Sequence, residues 1–250
     1  MHNESFRLLG LDYVYLCFDV NEETLPAAVA GLKTCGIRGF NLTMPNKNKI
    51  VELLDELSPE AQLIGAVNTV LNDNGKLIGY NTDGYGFMQS VRDAGHDITG
   101  KNITVMGVGG ASMAICAQSA LDGAASVHIF ARRTSRYWNR TQKFAENLSA
   151  KTGCQVCLFD NDDHTALRDS IAQSYLLINA TSVGMVPDID DTIIKDTSLF
   201  HPELVVADVV YEPQETRLLR EAKAAGCQTF NGMYMLLHQG AKAFQIWTGQ

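Results

Sequence analysis

No run of 18 uncharged apolar residues occurs in this 250-residue chain, so no membrane-spanning helix is expected. Met1–Phe6 contains His, Asn and Glu and has no apolar h-region, which argues against a signal peptide. Basic residues are in deficit, with 20 Lys and Arg against 28 Asp and Glu and a formal charge of −8. Apart from a local cluster at Arg132, Arg133, Arg136 and Arg140 there is no basic stripe, so no nucleic-acid partner is expected. Metal-ligand spacing is almost absent. Of Cys17, Cys35, Cys116, Cys154, Cys157 and Cys227, only Cys154-Gln155-Val156-Cys157 has it, without a second ligand pair. Strand alternation would place those two thiols on opposite faces. His2, His96, His128, His164, His201 and His238 are dispersed, and His128 sits in an apolar strand, so no metal site is expected. The thiols read as reduced, which fits a cytoplasmic protein. Sequence repeats and low-complexity tracts are also missing.

What is present is an α/β rhythm. The stretch Val105-Met106-Gly107-Val108-Gly109-Gly110-Ala111 takes an apolar strand, Ile103–Met106, through closely spaced glycines into a helix at Met113–Ala117. Glycines let a backbone approach a diphosphate, and unpaired amides at a helix start favour negative charge. The spacing falls short of the full dinucleotide fingerprint, and a tight strand-to-helix turn is the bland alternative. Further strands are expected at Val127–Ala131, Gln155–Phe159, Tyr175–Ile178 and Leu204–Asp208, with helices centred on Ala114–Leu121, Thr141–Leu148, Ala166–Ile171 and Thr216–Ala225. Near-continuous apolar strands alternating with helices imply a mostly parallel sheet covered on both faces.

The first hundred residues read differently. Strands are expected at Tyr13–Phe18 and Gly39–Leu42, and helices at about Leu25–Thr34, Lys49–Leu54 and from Ser58-Pro59 onward, with Ser58 as cap. Ala66–Leu71 and Leu77–Tyr80 flank Asn72-Asp73-Asn74-Gly75, a hairpin signal, and a helix runs from about Tyr85 to Ala94. The polar stretch Asp97–Gly100 marks a boundary. The expected organisation is an N-terminal open α/β substrate domain, residues 1–98, and a Rossmann-type parallel-sheet nucleotide domain, residues 99–232. An apolar last helix, Tyr234–Trp247, lies in a segment 233–250 that packs back onto the first domain. Lys47 stands just beyond a strand end after a proline turn, where a lysine can give or take a proton. Asn68 interrupts an apolar passage, and Asp83 lies at a loop-to-helix junction. Taken singly they also read as a solvated lysine, a turn amide and an N-cap carboxylate, and periodicity alone cannot bring Lys47 and Asp83 together.

Seven segments in order resemble the shikimate dehydrogenase family, including its quinate/shikimate branch. They are Asn41–Lys47, Gly65–Thr69, Tyr80–Gly84, Gly107–Ala111, Asn179–Met185, Asp208–Pro213 and Gly232–Gly240. The resemblance extends across nearly the whole chain to Trp247. It implies reversible NADP-dependent reduction of 3-dehydroshikimate to shikimate, with hydride transfer at C3. Carried over motif by motif, it makes Lys47 and Asp83 the catalytic pair. Asn68 and Gln239 would bind ring hydroxyls, and Asn41, Thr43 and Tyr211 would shape the substrate pocket. It implies a cofactor site at Gly107, Val108, Gly109, Gly110, Ala111, Ala131, Arg132, Arg133, Asn179, Thr181, Ser182, Gly232 and Met233. The expected partners are a small-molecule substrate, shikimate, 3-dehydroshikimate or quinate, and the expected state is a monomer or homodimer.

NADP is expected over NAD, because Phe130-Ala131-Arg132-Arg133-Thr134-Ser135 offers arginines and hydroxyls and no acidic residue for two ribose hydroxyls. Dual use remains open, since quinate/shikimate members accept both cofactors. The loop Asn179–Met185, at the carboxyl end of a strand, should face the same crevice as the glycine turn. Family members also carry a Ser-x-Ser-Pro loop that grips the substrate carboxylate, ahead of the segment that here starts at Met1, and a further helix beyond Gln250. Their absence from these 250 residues implies a weaker carboxylate grip and lower stability, and makes a catalytically silent nucleotide- or shikimate-binding homologue the runner-up reading.

Overall fold

The computed structural model describes all 250 residues. The chain opens with helix α1 (His2–Leu8) and, after an irregular passage, α2 (Leu25–Thr34). Four short strands follow: β1 (Gly39–Asn41), β2 (Glu56–Leu57), β3 (Thr69–Asp73) and β4 (Lys76–Tyr80), ordered β1-β3-β4-β2. Between β1 and β2 lie α3 (Asn46–Lys49) and a 3-10 turn at Ile50–Leu53, and α4 (Pro59–Ile64) precedes β3. Ser58 caps α4 by accepting from the Ala61 N–H at 3.3 Å. The β3–β4 hairpin turns at Asn74 (φ 52°) and Gly75 (φ 91°), the left-handed pair that the Asn-Gly sequence supplies at low cost.

Tyr13–Phe18 is not a strand, contrary to the expectation from its run of apolar residues. No ladder forms there. The Tyr15 N–H donates to Asn3 Oδ1 at 2.7 Å and its carbonyl accepts from Asn3 Nδ2 at 2.9 Å, so a side-chain amide on α1 takes the place of a neighbouring strand. Val14, Leu16 and Phe18 remain largely exposed along the border of a cavity, with no sheet face to bury them.

From Asn102 onward the parallel architecture holds. Strands β5 (Asn102–Met106), β6 (Ser126–Ala131), β7 (Gln155–Asp160), β8 (Leu176–Asn179), β9 (Val205–Asp208) and β10 (Gln228–Phe230) form one sheet ordered β10-β9-β8-β5-β6-β7. Every pairing in it is parallel. The sixth strand, β10, had no counterpart in the sequence reading; it has only three residues and is paired on one side. Helices α5 (Asp83–Asp93), α6 (Gly110–Leu121), α7 (Trp138–Thr152), α8 (His164–Gln173) and α9 (Arg217–Ala224) surround or precede these strands. Ile103, Val105, Val127, Ile129, Leu176 and Ile178 are fully buried, as expected for strands covered on both faces. Phe87, Met88 and Val91 of α5 and Ile64 of α4 join this same core, so the helices that flank the first sheet also cover the second.

The last helix, α10 (Met233–Thr248), packs along α5 and ends beside the first sheet. There Trp247 Nε1 donates to the Val70 carbonyl at 2.9 Å, and Arg38 Nε donates to the Trp247 carbonyl at 2.9 Å. All six cysteines are free. Burial within α6 pushes the Cys116 thiol up to about 12, which keeps it protonated and unreactive.

His128 on β6 is half-buried, with Nδ1 3.0 Å from Ser170 Oγ and its ring edge-on to Phe159. Burial lowers its pKa from the ordinary 6.5. Below that value the unfolded chain takes up a proton that the folded site resists, so the stability this site contributes is present above pH 6.5 and is lost as pH falls. His2 and His96 shift in the same direction, also mainly through burial. The melting temperature is therefore expected to fall between about pH 7.5 and about pH 5.5, and His128→Asn to flatten that dependence. An unchanged slope in the variant, read by thermal denaturation at several pH values, would refute the assignment.

Candidate active site

Strand β1 ends at Asn41, and the turn Leu42–Pro45 delivers α3, which carries Lys47. Its position is fixed from the backbone, because the Lys47 carbonyl accepts from the Val67 N–H at 2.8 Å. Asn68 stands where the chain enters β3, and Asp83 is the first residue of α5, just after β4. The β3–β4 hairpin thus brings Asn68 next to Thr82-Asp83. Asn68 Oδ1 accepts from the Thr82 N–H at 2.9 Å, and its Nδ2 donates to Asp83 Oδ1 at 2.8 Å. The other carboxylate oxygen, Asp83 Oδ2, lies 2.6 Å from Lys47 Nζ. A carboxylate this deeply buried needs such partners, since an unpaired charge out of water is costly. Asn81 Oδ1 accepts from the Asp83 N–H at 3.1 Å and completes the junction.

Gln239, on α10, reaches the same cluster, with Oε1 3.5 Å from Asn68 Nδ2. Asn41 Nδ2 donates to the Asn68 carbonyl (3.1 Å) and to Thr69 Oγ1 (3.0 Å). These residues border a cavity of about 890 Å³ whose wall includes Asn41, Thr43, Lys47, Asn68, Asp83, Tyr211 and Gln239. All seven residues named from the sequence as catalytic or substrate-binding therefore converge on one space. Chemically, the arrangement offers an ammonium held by a carboxylate beside several amide groups. That combination can exchange a proton with a hydroxyl and bind its neighbours.

The nucleotide-type sheet faces this cavity with its carboxyl edge. The chain order reverses between β5 and β8, and the glycine turn lies at that switch point. Gly107 has φ +110°, and a Cβ there would stand 2.8 Å from Thr181 Cγ2 and 2.9 Å from the Ala180 carbonyl oxygen, so the turn and the 179–185 loop are in contact. Gly109 and Gly110 face open space. Helix α6 starts without a side-chain cap, and its first backbone bond is Met113 N–H to the Gly109 carbonyl. The N–H groups of Gly110, Ala111 and Ser112 are thereby left without backbone partners, a donor set that fits a diphosphate. Val108 lies within the same turn, and Ala111 and Gly232 line the cavity itself. Ala131 ends β6 one strand away from the turn, followed by exposed Arg132 and Arg133. The Arg133 guanidinium lies 4.7 Å from the centre of the Trp138 ring. Ser182, in the 179–185 loop, and Met233, the first residue of α10, are both exposed.

Two participants escaped the sequence reading. Tyr15 Oη donates to Asn41 Oδ1 at 2.9 Å and lines the cavity; its signal was masked by its placement in an expected strand. Thr82 completes the Asn68 clamp but reads in sequence as an ordinary loop threonine.

A parallel sheet with a glycine turn at its switch point, facing a polar pocket built around a lysine–carboxylate pair, defines the class: an α/β protein of the dinucleotide-dependent oxidoreductase type. Comparison with known proteins narrows this. Residues 1–70 match the sequence model of the shikimate dehydrogenase substrate binding domain, and residues 232–250 match that of the shikimate 5'-dehydrogenase C-terminal domain. A shikimate dehydrogenase (NADP(+)) of Listeria innocua is 52% identical over 248 residues, 99% of this chain and 85% of that protein. The crystal structure of shikimate 5-dehydrogenase from Listeria monocytogenes in complex with shikimate and NAD superposes with a TM-score of 0.97 at 50% identity, covering 100% of this chain and 86% of that one. Quinate dehydrogenase from Corynebacterium glutamicum in complex with NAD gives 0.87 at 31% identity, covering 100% and 88%. The chain belongs to the shikimate dehydrogenase family.

Proposed function

We propose that the protein catalyses the reversible NADP-dependent reduction of 3-dehydroshikimate to shikimate. The observation that carries this reading is the Lys47–Asp83–Asn68 cluster, with Gln239 beside it, on the wall of a cavity that also touches Ala111 at the glycine turn. In the oxidative direction the C3 hydroxyl must lose its proton as the hydride leaves, and Lys47 Nζ is the group placed to take it and, in reduction, to return it. Asp83 holds the lysine through Oδ2 and is available to a neighbouring ring hydroxyl. Asn68 and Gln239 bind ring hydroxyls through their amides, while Asn41, Thr43 and Tyr211 shape the pocket. NADP supplies or accepts the hydride when bound. Its diphosphate would rest on the amides of Gly107–Ala111, and its adenosine end at Ala131, Arg132 and Arg133. Asn179, Thr181, Ser182, Gly232 and Met233 would border the crevice between. On this reading residues 1–98 with 233–250 form the substrate domain and 99–232 the nucleotide domain, in a cytoplasmic monomer or homodimer.

Following reduced-nicotinamide absorbance with NADP and either shikimate or quinate tests the proposal, and no turnover on either acid would refute it. The likeness to a quinate dehydrogenase gives quinate oxidation a specific claim as a second activity, and the ratio of the two rates measures it. The cofactor preference has its own test. Arginine forks match a 2′-phosphate, and a charge-assisted bond of that kind is worth about tenfold in affinity. Arg132→Ala combined with Arg133→Ala is therefore expected to raise KM for NADP by that factor and to leave KM for NAD nearly unchanged. An unaltered ratio would remove both arginines from the 2′-phosphate site.

A further inference from the structure

At the end of β9, Asp208 is fully buried, with 0% of its surface exposed, and it does not line the cavity. A carboxylate in such a place survives only if donors surround it, and here every donor comes from a loop at the carboxyl edge of the sheet or from the strand end beside it. Asn179 Nδ2 and the Val210 N–H each donate to Oδ1 at 3.0 Å, and Thr216 Oγ1 donates to Oδ2 at 2.7 Å. All three are donors, which suits the ionised acceptor, although burial pushes the carboxyl pKa up against them.

The partners carry the order outward in two directions. Asn179 Oδ1 accepts from the Thr181 N–H (3.1 Å) and from Thr181 Oγ1 (2.7 Å), and its Nδ2 also donates to the Val183 carbonyl (3.1 Å). That folds the 179–185 loop into the shape in which Thr181 and Ala180 touch Gly107. On the other side the Val210 carbonyl accepts from the Gly232 N–H at 3.2 Å, and the Val209 carbonyl leaves no room for a Cβ at Gly232. Val209 and Tyr211 line the cavity, and Gly232 begins the helix that carries Gln239. One carboxylate thus ties the loop resting on the glycine turn to the loop and helix start bordering the substrate pocket.

We propose that Asp208 is a positioning residue that locks the 179–185 and 209–216 loops in one register and thereby sets the substrate pocket against the glycine turn. Its kinetic consequence rests on the dehydrogenase reading above, and its structural consequence does not. In Asp208→Ala, amide hydrogen exchange is expected to accelerate in 180–185 and 209–213 together, while β5, β6 and β8 stay protected. The same variant is expected to lose roughly 10- to 100-fold in kcat/KM for shikimate, as misalignment of reacting groups does. Binding of adenosine 2′,5′-bisphosphate, read by calorimetry, should stay within about twofold, since the arginines after β6 lie outside the network. Asp208→Asn keeps an acceptor for Asn179 and Val210 and can donate to Thr216 Oγ1, so it should recover most of the loss. A residue with a merely structural role would lower the melting temperature and leave kcat/KM below the transition unchanged.

Faster exchange in only one loop or in neither, or an unchanged kcat/KM, overturns the proposal. If the parent protein turns over neither acid, the dehydrogenase reading fails and the exchange experiment still decides the role of Asp208. If Asp208→Ala does not fold, Thr216→Val removes one donor to Asp208 together with the α9 cap on the Leu219 N–H, and the diagnostic result is faster exchange that extends beyond 209–216 into 180–185, at smaller amplitude. Unaltered exchange in that variant equally overturns the proposal.

Discussion

Lys47→Ala is expected to lower turnover on shikimate by roughly 10²- to 10⁴-fold, the scale of a positioned acid–base group, with NADP affinity nearly unchanged. The side chain has one close partner, Asp83 Oδ2 at 2.6 Å, and it lies on the cavity wall with its ammonium within reach of solvent. Removing it takes away the proposed proton carrier and frees Asp83, whose carboxylate keeps only the Asn68 amide. The buried charge then loses its main compensation, and some loss of stability accompanies the loss of rate. Steady-state kinetics with a melting curve separates the two effects. Near-normal turnover in a folded variant would exclude Lys47 from proton transfer. Lys47→Arg sharpens the test: it retains the charge beside Asp83 but cannot give up a proton near neutral pH, so it should restore stability and leave turnover low.

Gly86→Val is expected to destabilise the protein by about 1–3 kcal/mol and to raise KM for shikimate. A Cβ at Gly86 would stand 2.6 Å from the Gln239 nitrogen and 2.7 Å from the Met235 carbonyl oxygen. These are backbone atoms of α10, so no side-chain rotation relieves the clash; α10 itself must move. The helix that moves carries Gln239 away from Asn68, and the cavity proposed to hold substrate opens on that side. Intrinsic helix propensity works the other way, since valine is a better helix former than glycine, by a few tenths of a kcal/mol. Packing wins because it acts through a rigid contact. A variant with a raised or unchanged melting temperature would show that α5 and α10 can separate without cost. Gly84, on the same first turn of α5, meets the other neighbour: a Cβ there would run into the Ala114 carbonyl oxygen of α6. The two glycines of Asp83-Gly84-Tyr85-Gly86 thus let α5 lie close to α6 and to α10 at once, with Asp83 at its tip.

Sequence alone carried the strand–helix alternation that implies a parallel sheet, the glycine turn, the Asn-Gly hairpin and the Ser58-Pro59 helix start, because each of these signals is local to a few residues, whereas the pairing and order of the strands are not. Its apolar run misled at Tyr13–Phe18, where six successive apolar residues suggest a strand and say nothing of whether a partner strand is alongside. The candidate catalytic residues were named through a resemblance of ordered motifs, and the chemistry of each, read singly, was equally that of a surface lysine, a turn amide and a helix cap. What made them a site was decided in three dimensions. Lys47 and Asp83 lie 36 positions apart, and Asn68 and Gln239 lie 171 apart. Such pairs meet only after the β3–β4 hairpin has closed and α10 has returned along α5. The same holds for Asp208, an ordinary strand-end acid until the fold buries it among donors from neighbouring chain segments. Period and turn chemistry are local and can be read along the chain, whereas the desolvation that forces buried polar groups to find one another exists only once the helices and sheets have packed.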